Sequence, residues 1–276
     1  MKEPQTQRDL LVSLQRLEFD RAANLEKRVR WLQIAAGAMA VIGLAVPENS
    51  VTQALSPFSF LLALGTFWMN YQSRAHRLIG DKARRATLLV DGLGLRLSSG
   101  EIRRFAASTN ASPEKLGEYN DPAYFATTEE PGVKRAAEML QENAFWSMHL
   151  FRASARQVDR WLVVAGLGSV LVFFLSLSLY STPNNSIQLK FFSAVASSIV
   201  SIEFMMRSLN YRLGAADVEE IYQRLIYLER EGYPKDDFLL AVVDYNSAVE
   251  SAPMMAPNAY RDNCVRLEGL WKGRYQ

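Results

Sequence analysis

The segment Trp161–Tyr180, WLVVAGLGSVLVFFLSLSLY, carries twenty residues without a charge. As a helix rising about 1.5 Å per residue it extends roughly 30 Å, the thickness of a bilayer's hydrocarbon core. Twelve of its residues are Leu, Val or Phe. At roughly −0.3 to −0.6 kcal/mol each, they favour insertion by about 4–7 kcal/mol before the serines subtract. Such a run is either the buried helix of a packed core or a membrane span, and its neighbours in the sequence decide the expectation.

Three more apolar runs accompany it. Val51–Tyr71 starts near Pro57, which the first turn of a helix tolerates, and ends on Trp68 and Tyr71, residues suited to a lipid–water boundary. Trp31–Val46 is shorter, about 24 Å as a helix, and rich in Ala and Gly, which allow close helix packing. Ser186–Met206 contains Lys190 and Glu203, about 20 Å apart on a helix, so its charges either snorkel or face a polar interior. Short connectors of turn chemistry, PENS and STPNNS, join the runs in pairs.

Basic residues flank the outer ends of both pairs. Arg21, Lys27, Arg28 and Arg30 precede the first run, and Arg74, Arg77, Lys82, Arg84 and Arg85 follow the second. Arg152, Arg156 and Arg160 precede the third, and Arg207 and Arg212 follow the fourth. The positive-inside bias then places both termini and the middle of the chain on the cytoplasmic side. The expected fold class is an all-α integral membrane protein, multi-pass, with two transmembrane helical hairpins, helical cytosolic regions and both termini cytoplasmic. Its parts are a cytosolic N-terminal helix over 1–30, a transmembrane hairpin over 31–71 and a cytosolic middle region over 72–160. A second transmembrane hairpin over 161–206 and a cytosolic helical region over 207–276 complete it.

Within the polar regions, Asp91-Gly92 marks a turn, and Ser98 with Glu101 three residues on has the form of a capping box opening a short helix. Ser112-Pro113 starts another. A long helix runs from Pro131 into the third apolar run, with Ala137, Leu140, Ala144, Phe145, Met148 and Phe151 at helical spacing. Three further helices are expected over about 207–231, 235–251 and 257–272, with prolines at their joints. Leu10, Leu14, Leu17 and Leu25 give the N-terminal segment an apolar stripe, suited to the C-terminal helices or to a neighbouring subunit.

Composition narrows the function. A net charge of +2 gives no basis for binding a nucleic-acid polymer. The lone Cys264 excludes an internal disulfide and a cysteine-built metal site. His76 and His149 belong to no paired metal motif, and no nucleophile elbow or phosphate-binding loop occurs. No catalytic residue, metal or cofactor is expected, and the chain reads as a non-enzyme. On the fourth run, Ser186, Lys190, Ser193, Ser197 and Ser201 recur at offsets of four, three, four and four, which is one helical stripe. Such a stripe suits close packing between helices, or the lining of a conductive path in a homo-oligomer.

Three stretches, DGLGLRLSSGEIRRF, YFATTEEPGVKRAAEMLQENAFWSMHL and DYNSAVESAPMMAPNAYRDNCVRLEGLW, resemble in their order the SMODS-associated four-transmembrane family of pore-forming effectors. Tyr245, Asn246, Ala248, Ala252, Pro253 and Pro257 stand in the C-terminal segment that carries the likeness, and APMMAP is a looser version of the family's pattern there. The resemblance implies a membrane effector of antiphage defence. A cyclic nucleotide from a partner enzyme would drive it to oligomerise and to disrupt or permeabilise the inner membrane, with the lipid bilayer as its other partner. The alternative is a non-conducting membrane scaffold or signalling partner. A phosphate ligand needs cations and aromatic rings. Arg84, Arg85, Arg103, Arg104, Tyr124, Lys134 and Arg135 are the candidates, with Phe125 beside Tyr124; the competing role of each arginine is a solvated face or a membrane flank.

Overall fold

A computed structural model describes residues 6–45, 50–179, 186–256 and 258–273. Within its helices, the side chains of residues 40–60 and 169–203, with those of 37, 38, 63 and 165, lie outside the description. Among the described residues every regular element is helical. Four long helices, α1 (Gln7–Ala45), α2 (Ser50–Thr87), α5 (Val133–Leu179) and α6 (Ser186–Arg230), form two antiparallel pairs. Shorter helices, α3 (Ser99–Ala107), α4 (Pro113–Glu118), α7 (Lys235–Ser251) and α8 (Cys264–Lys272), brace them.

Local chemistry sets the boundaries. The Ser98 hydroxyl accepts from the Glu101 N–H (3.2 Å) and caps α3. Ser112 does the same for α4 from the Lys115 N–H (3.4 Å), with Pro113 in the first turn. α2 continues past Thr87 into a π-helical turn, Leu88–Gly92, where a plain turn is expected from Asp91-Gly92. A Cβ on Gly92 would lie 2.9 Å from the Ala136 backbone, so the glycine lets this turn close onto α5. α6 ends at Gly232 (φ 76°), with the Tyr233 N–H donating back to Leu228 O at 2.8 Å. The third C-terminal helix is shorter than its sequence suggests: residues 258–263 form turns, and α8 begins at Cys264.

The main core lies between α5, α6, α7 and α8. Phe151, Tyr211, Leu225, Phe238, Tyr245 and Leu267 are buried there, and Trp271 sits on Phe145 with ring centroids 5.1 Å apart. A smaller cluster joins α1, α2 and α4 through Leu14, Leu17, Ala83 and Leu116. The N-terminal leucine stripe thus packs within its own chain, on α2 and α4.

The all-α part of the expected class stands, and the integral-membrane part is corrected. Among the described residues, no helix is long and apolar enough to cross a membrane. Charged residues stand close to the apolar runs on three of the long helices: Arg74 and Arg77 on α2, Arg156, Asp159 and Arg160 on α5, and Arg207 and Arg212 on α6. The multi-pass inner-membrane placement with both termini cytoplasmic rested on four spans and falls with them. Most side chains of the apolar stretches of the four runs, those of Lys190, Ser193, Ser197 and Ser201 among them, lie outside the description.

Candidate functional site

The seven residues proposed for a phosphate ligand do not converge. Arg84, on α2, is buried and committed: it pairs with Asp81 (3.3 Å) and Glu250 (3.5 Å), donates to Asn246 Oδ1 (3.3 Å) and lies over the Tyr245 ring (5.4 Å). Arg85 pairs with the same Glu250 at 3.4 Å. Arg103 and Arg104 project outward from α3, and Arg104 reaches only Glu101 (3.7 Å). Tyr124 accepts from Gln15 Nε2 (2.9 Å), and burial pushes its phenol up to about 12. Phe125 packs edge-on against it at 4.8 Å.

Arg135 is a structural tie. It donates to Asp91 Oδ1 (2.8 Å) and to the carbonyls of Asp91 (2.9 Å), Thr127 (3.3 Å) and Glu129 (2.8 Å). Arg8 reaches the same Asp91 carboxylate at 3.1 Å. The α1 N-terminus, the π-helical turn and the start of α5 are therefore knotted at one acid. Lys134, one residue earlier, is exposed and meets Glu129 at 2.7 Å.

The two histidines are likewise packed. His76 Nδ1 meets the buried Glu18 at 2.5 Å, and Glu18 also accepts from Arg21 and Thr109, each at 2.7 Å. His149 lies edge-on to Phe145 (4.6 Å), and burial with nearby Arg152 lowers its pKa. Among the described residues, no group of His, Cys, Asp and Glu is placed to hold a metal ion.

What the fold does bring together is a cleft of about 600 Å³ where the α1–α2 pair meets α6 and the segment leaving α7. Arg74 and Arg77 from α2, Arg207 from α6, Glu26 from α1 and Glu250 from α7 stand on its walls. Each acid already holds a cation. Arg207 pairs with Glu26 (2.9 Å) and Arg77 with Asp81 (3.6 Å), while Arg77 also donates to Val249 O (2.8 Å). Burial raises the Asp81 pKa against the pull of Arg84 and Arg77. Arg74 is exposed and has no ion-pair or hydrogen-bond partner among the described residues. Beside Arg207 lies Arg30, whose pKa burial lowers and whose Nη2 atom is buried with no hydrogen bond. The Tyr211 hydroxyl donates to Met254 O and ties α6 to the segment that closes the cleft. The cleft wall thus holds three arginines (74, 77 and 207) and three carboxylates (26, 81 and 250), while Arg84 and Arg85 pair with Asp81 and Glu250 and Arg30 stands near Arg207.

Part of this site had a sequence signal. Arg74, Arg77, Asp81, Arg84 and Arg85 follow the spacing of one helical face, which a reading of the arginines as membrane flanks passes over. Glu26, Arg207 and Glu250 come from three other elements, and nothing in the sequence joins them.

A second hollow of about 300 Å³ between α6 and α7 is mostly acidic, and its Arg224 is already bound to Asp244 (2.6 Å). Comparison with family models, curated proteins and solved structures gives no match to the chain.

Proposed function

We propose that this chain is a signal-responsive effector of bacterial antiphage defence, in which an anionic nucleotide messenger enters the cleft between the helix pairs and changes the assembly of the chain. Arg74, on the cleft wall and unpaired among the described residues, carries the reading. The cleft's acids are already neutralised by internal pairs, Arg74 is left over, and a volume of about 600 Å³ suits a small molecule. A ligand there touches α2, α6 and the segment after α7 at once. It can therefore bind one arrangement of the pairs better than another, which is the condition for a population shift. The resemblance of the chain to signal-gated effectors supplies the messenger's class, a cyclic nucleotide made by a partner enzyme.

The test is light scattering and calorimetry on the full chain with a panel of cyclic di- and trinucleotides. Binding with a rise in mass supports the reading; no binding by any member refutes it. Dye-loaded liposomes added to the same sample read the output that the resemblance implies, loss of membrane integrity. A second reading, a scaffold or signalling partner with no small-molecule ligand, is favoured by the internal pairing of Arg84, Lys134 and Arg135. It predicts a mass unchanged by every nucleotide.

A further inference from the structure

The geometry points to Glu26 as an internal stand-in for the ligand's phosphoryl group: its carboxylate occupies Arg207, and an incoming phosphate takes that arginine over, gains Arg30, and unlatches α1 from α6. This rests on the proposed ligand reading and assigns the anchor within the same cleft. Glu26 is nearly buried, and its carboxylate meets Arg207 Nη1 at 2.9 Å. α1 packs against α2, whereas its contact with α6 is narrow, and this pair is a direct side-chain tie between α1 and α6.

The arrangement is unfinished on the cationic side. Arg30 lies beside Arg207, with a buried Nη2 donor that makes no hydrogen bond. A buried donor without an acceptor is a standing cost: Glu26 and Tyr211 act on the Arg30 guanidinium, but its Nη2 atom keeps no hydrogen bond. A phosphoryl group offers more oxygens in a tetrahedral array, and arginine matches it through paired donors. One phosphate on Arg207 could also draw on Arg30 beside it, and Arg74 stands on the wall of the same cleft. Glu26 is then left without its cation and repelled by the new anion. Ligand entry and loss of the α1–α6 tie are therefore one event, and by linkage each favours the other.

The experiment uses the full chain with sodium pyrophosphate and cyclic di-AMP as probes, followed by calorimetry and by hydrogen exchange of residues 20–30. Glu26→Gln keeps the shape and removes the competing charge, and it should tighten binding of both probes by about tenfold. Arg74→Gln, an exposed change, should weaken both. In the wild-type chain, either probe should raise exchange at residues 20–30. If the probes bind but Glu26→Gln and Arg74→Gln leave affinity unchanged, the anchor is elsewhere and this inference is overturned while the ligand reading stands. Binding that leaves exchange at residues 20–30 unchanged overturns the unlatching, even if Glu26→Gln fails to fold. Absence of binding by every variant removes both.

Discussion

Replacing Arg135 with Met tests whether the Asp91 knot holds the chain's N-terminal and central parts together. The variant keeps the aliphatic stem and removes a guanidinium bonded to one carboxylate oxygen and three backbone carbonyls. Asp91 is buried, with 7% of its side chain exposed, and keeps only Arg8 at 3.1 Å. Breaking a buried pair by removing one partner costs about 3–5 kcal/mol. The surviving Arg8 contact places this case at the lower end, about 3 kcal/mol. At about 2–4 °C per kcal/mol for a chain of this size, the melting point should fall by about 6–12 °C, read by far-ultraviolet circular dichroism. Asp91→Asn combined with Arg135→Met should cost less than the sum of the two changes, because each removes the same contact. Lys134→Ala, one residue away and exposed, should leave the melting point where it is. A fall of less than about 1 kcal/mol for Arg135→Met, or additive losses in the double variant, would refute the argument.

Two glycines should respond in opposite directions. Gly92→Ala places a methyl 2.9 Å from the Ala136 backbone and should cost about 1–3 kcal/mol, whereas Gly269→Ala, in α8 with nothing within 4 Å, should stabilise by about 0.5–1 kcal/mol; thermal melts separate them. Glu142 offers a test of pH dependence. Burial raises its pKa above the ordinary 4.5, although the Ala126 N–H donating to it pulls the other way. A carboxyl that holds its proton more tightly when folded contributes stability below the unfolded value, lost as pH rises through the folded one. Glu142→Gln keeps an acceptor for Ala126 and removes the charge. Its urea midpoint should exceed that of the wild-type chain at pH 7, with the gain gone once the wild-type carboxyl is protonated in both states; an equal gain at acidic pH would contradict the assignment.

Sequence and structure agree wherever the deciding interaction is local. Ser98 and Ser112 cap the helices they precede because each cap is a contact across three residues. The helix from residue 133 was legible because its apolar positions repeat every three or four residues over several turns before the uncharged run begins. The apolar run was no sufficient guide to class: among the described residues no helix holds a stretch both long and apolar enough to cross a membrane. α5 carries the run as the distal part of a 47-residue helix whose first half is core. The ligand candidates were no better guide. Lys134 and Arg135 are equivalent cations in a string of letters, but helical geometry turns one to solvent and the other onto Asp91, 44 residues away.

The cleft joins these two lessons. Its α2 wall was available from the register of Arg74, Arg77, Asp81 and Arg84, and the remaining wall was not, because Glu26 and Arg207 stand 181 residues apart. Counting charge along the chain gives a near-neutral protein. Folding places three arginines and three acids on the cleft wall, leaves Arg74 unpaired among the described residues, and leaves Arg30 Nη2 and Arg84 Nε buried without a hydrogen bond. On the proposal above, the arginines that look like a membrane flank in sequence form, in space, a site in which Glu26 holds the place of the anion. A site of that kind is kept closed by the chain itself until a stronger anion arrives, and this is why Glu26→Gln, which adds no contact, is expected to bind phosphate better than the native protein.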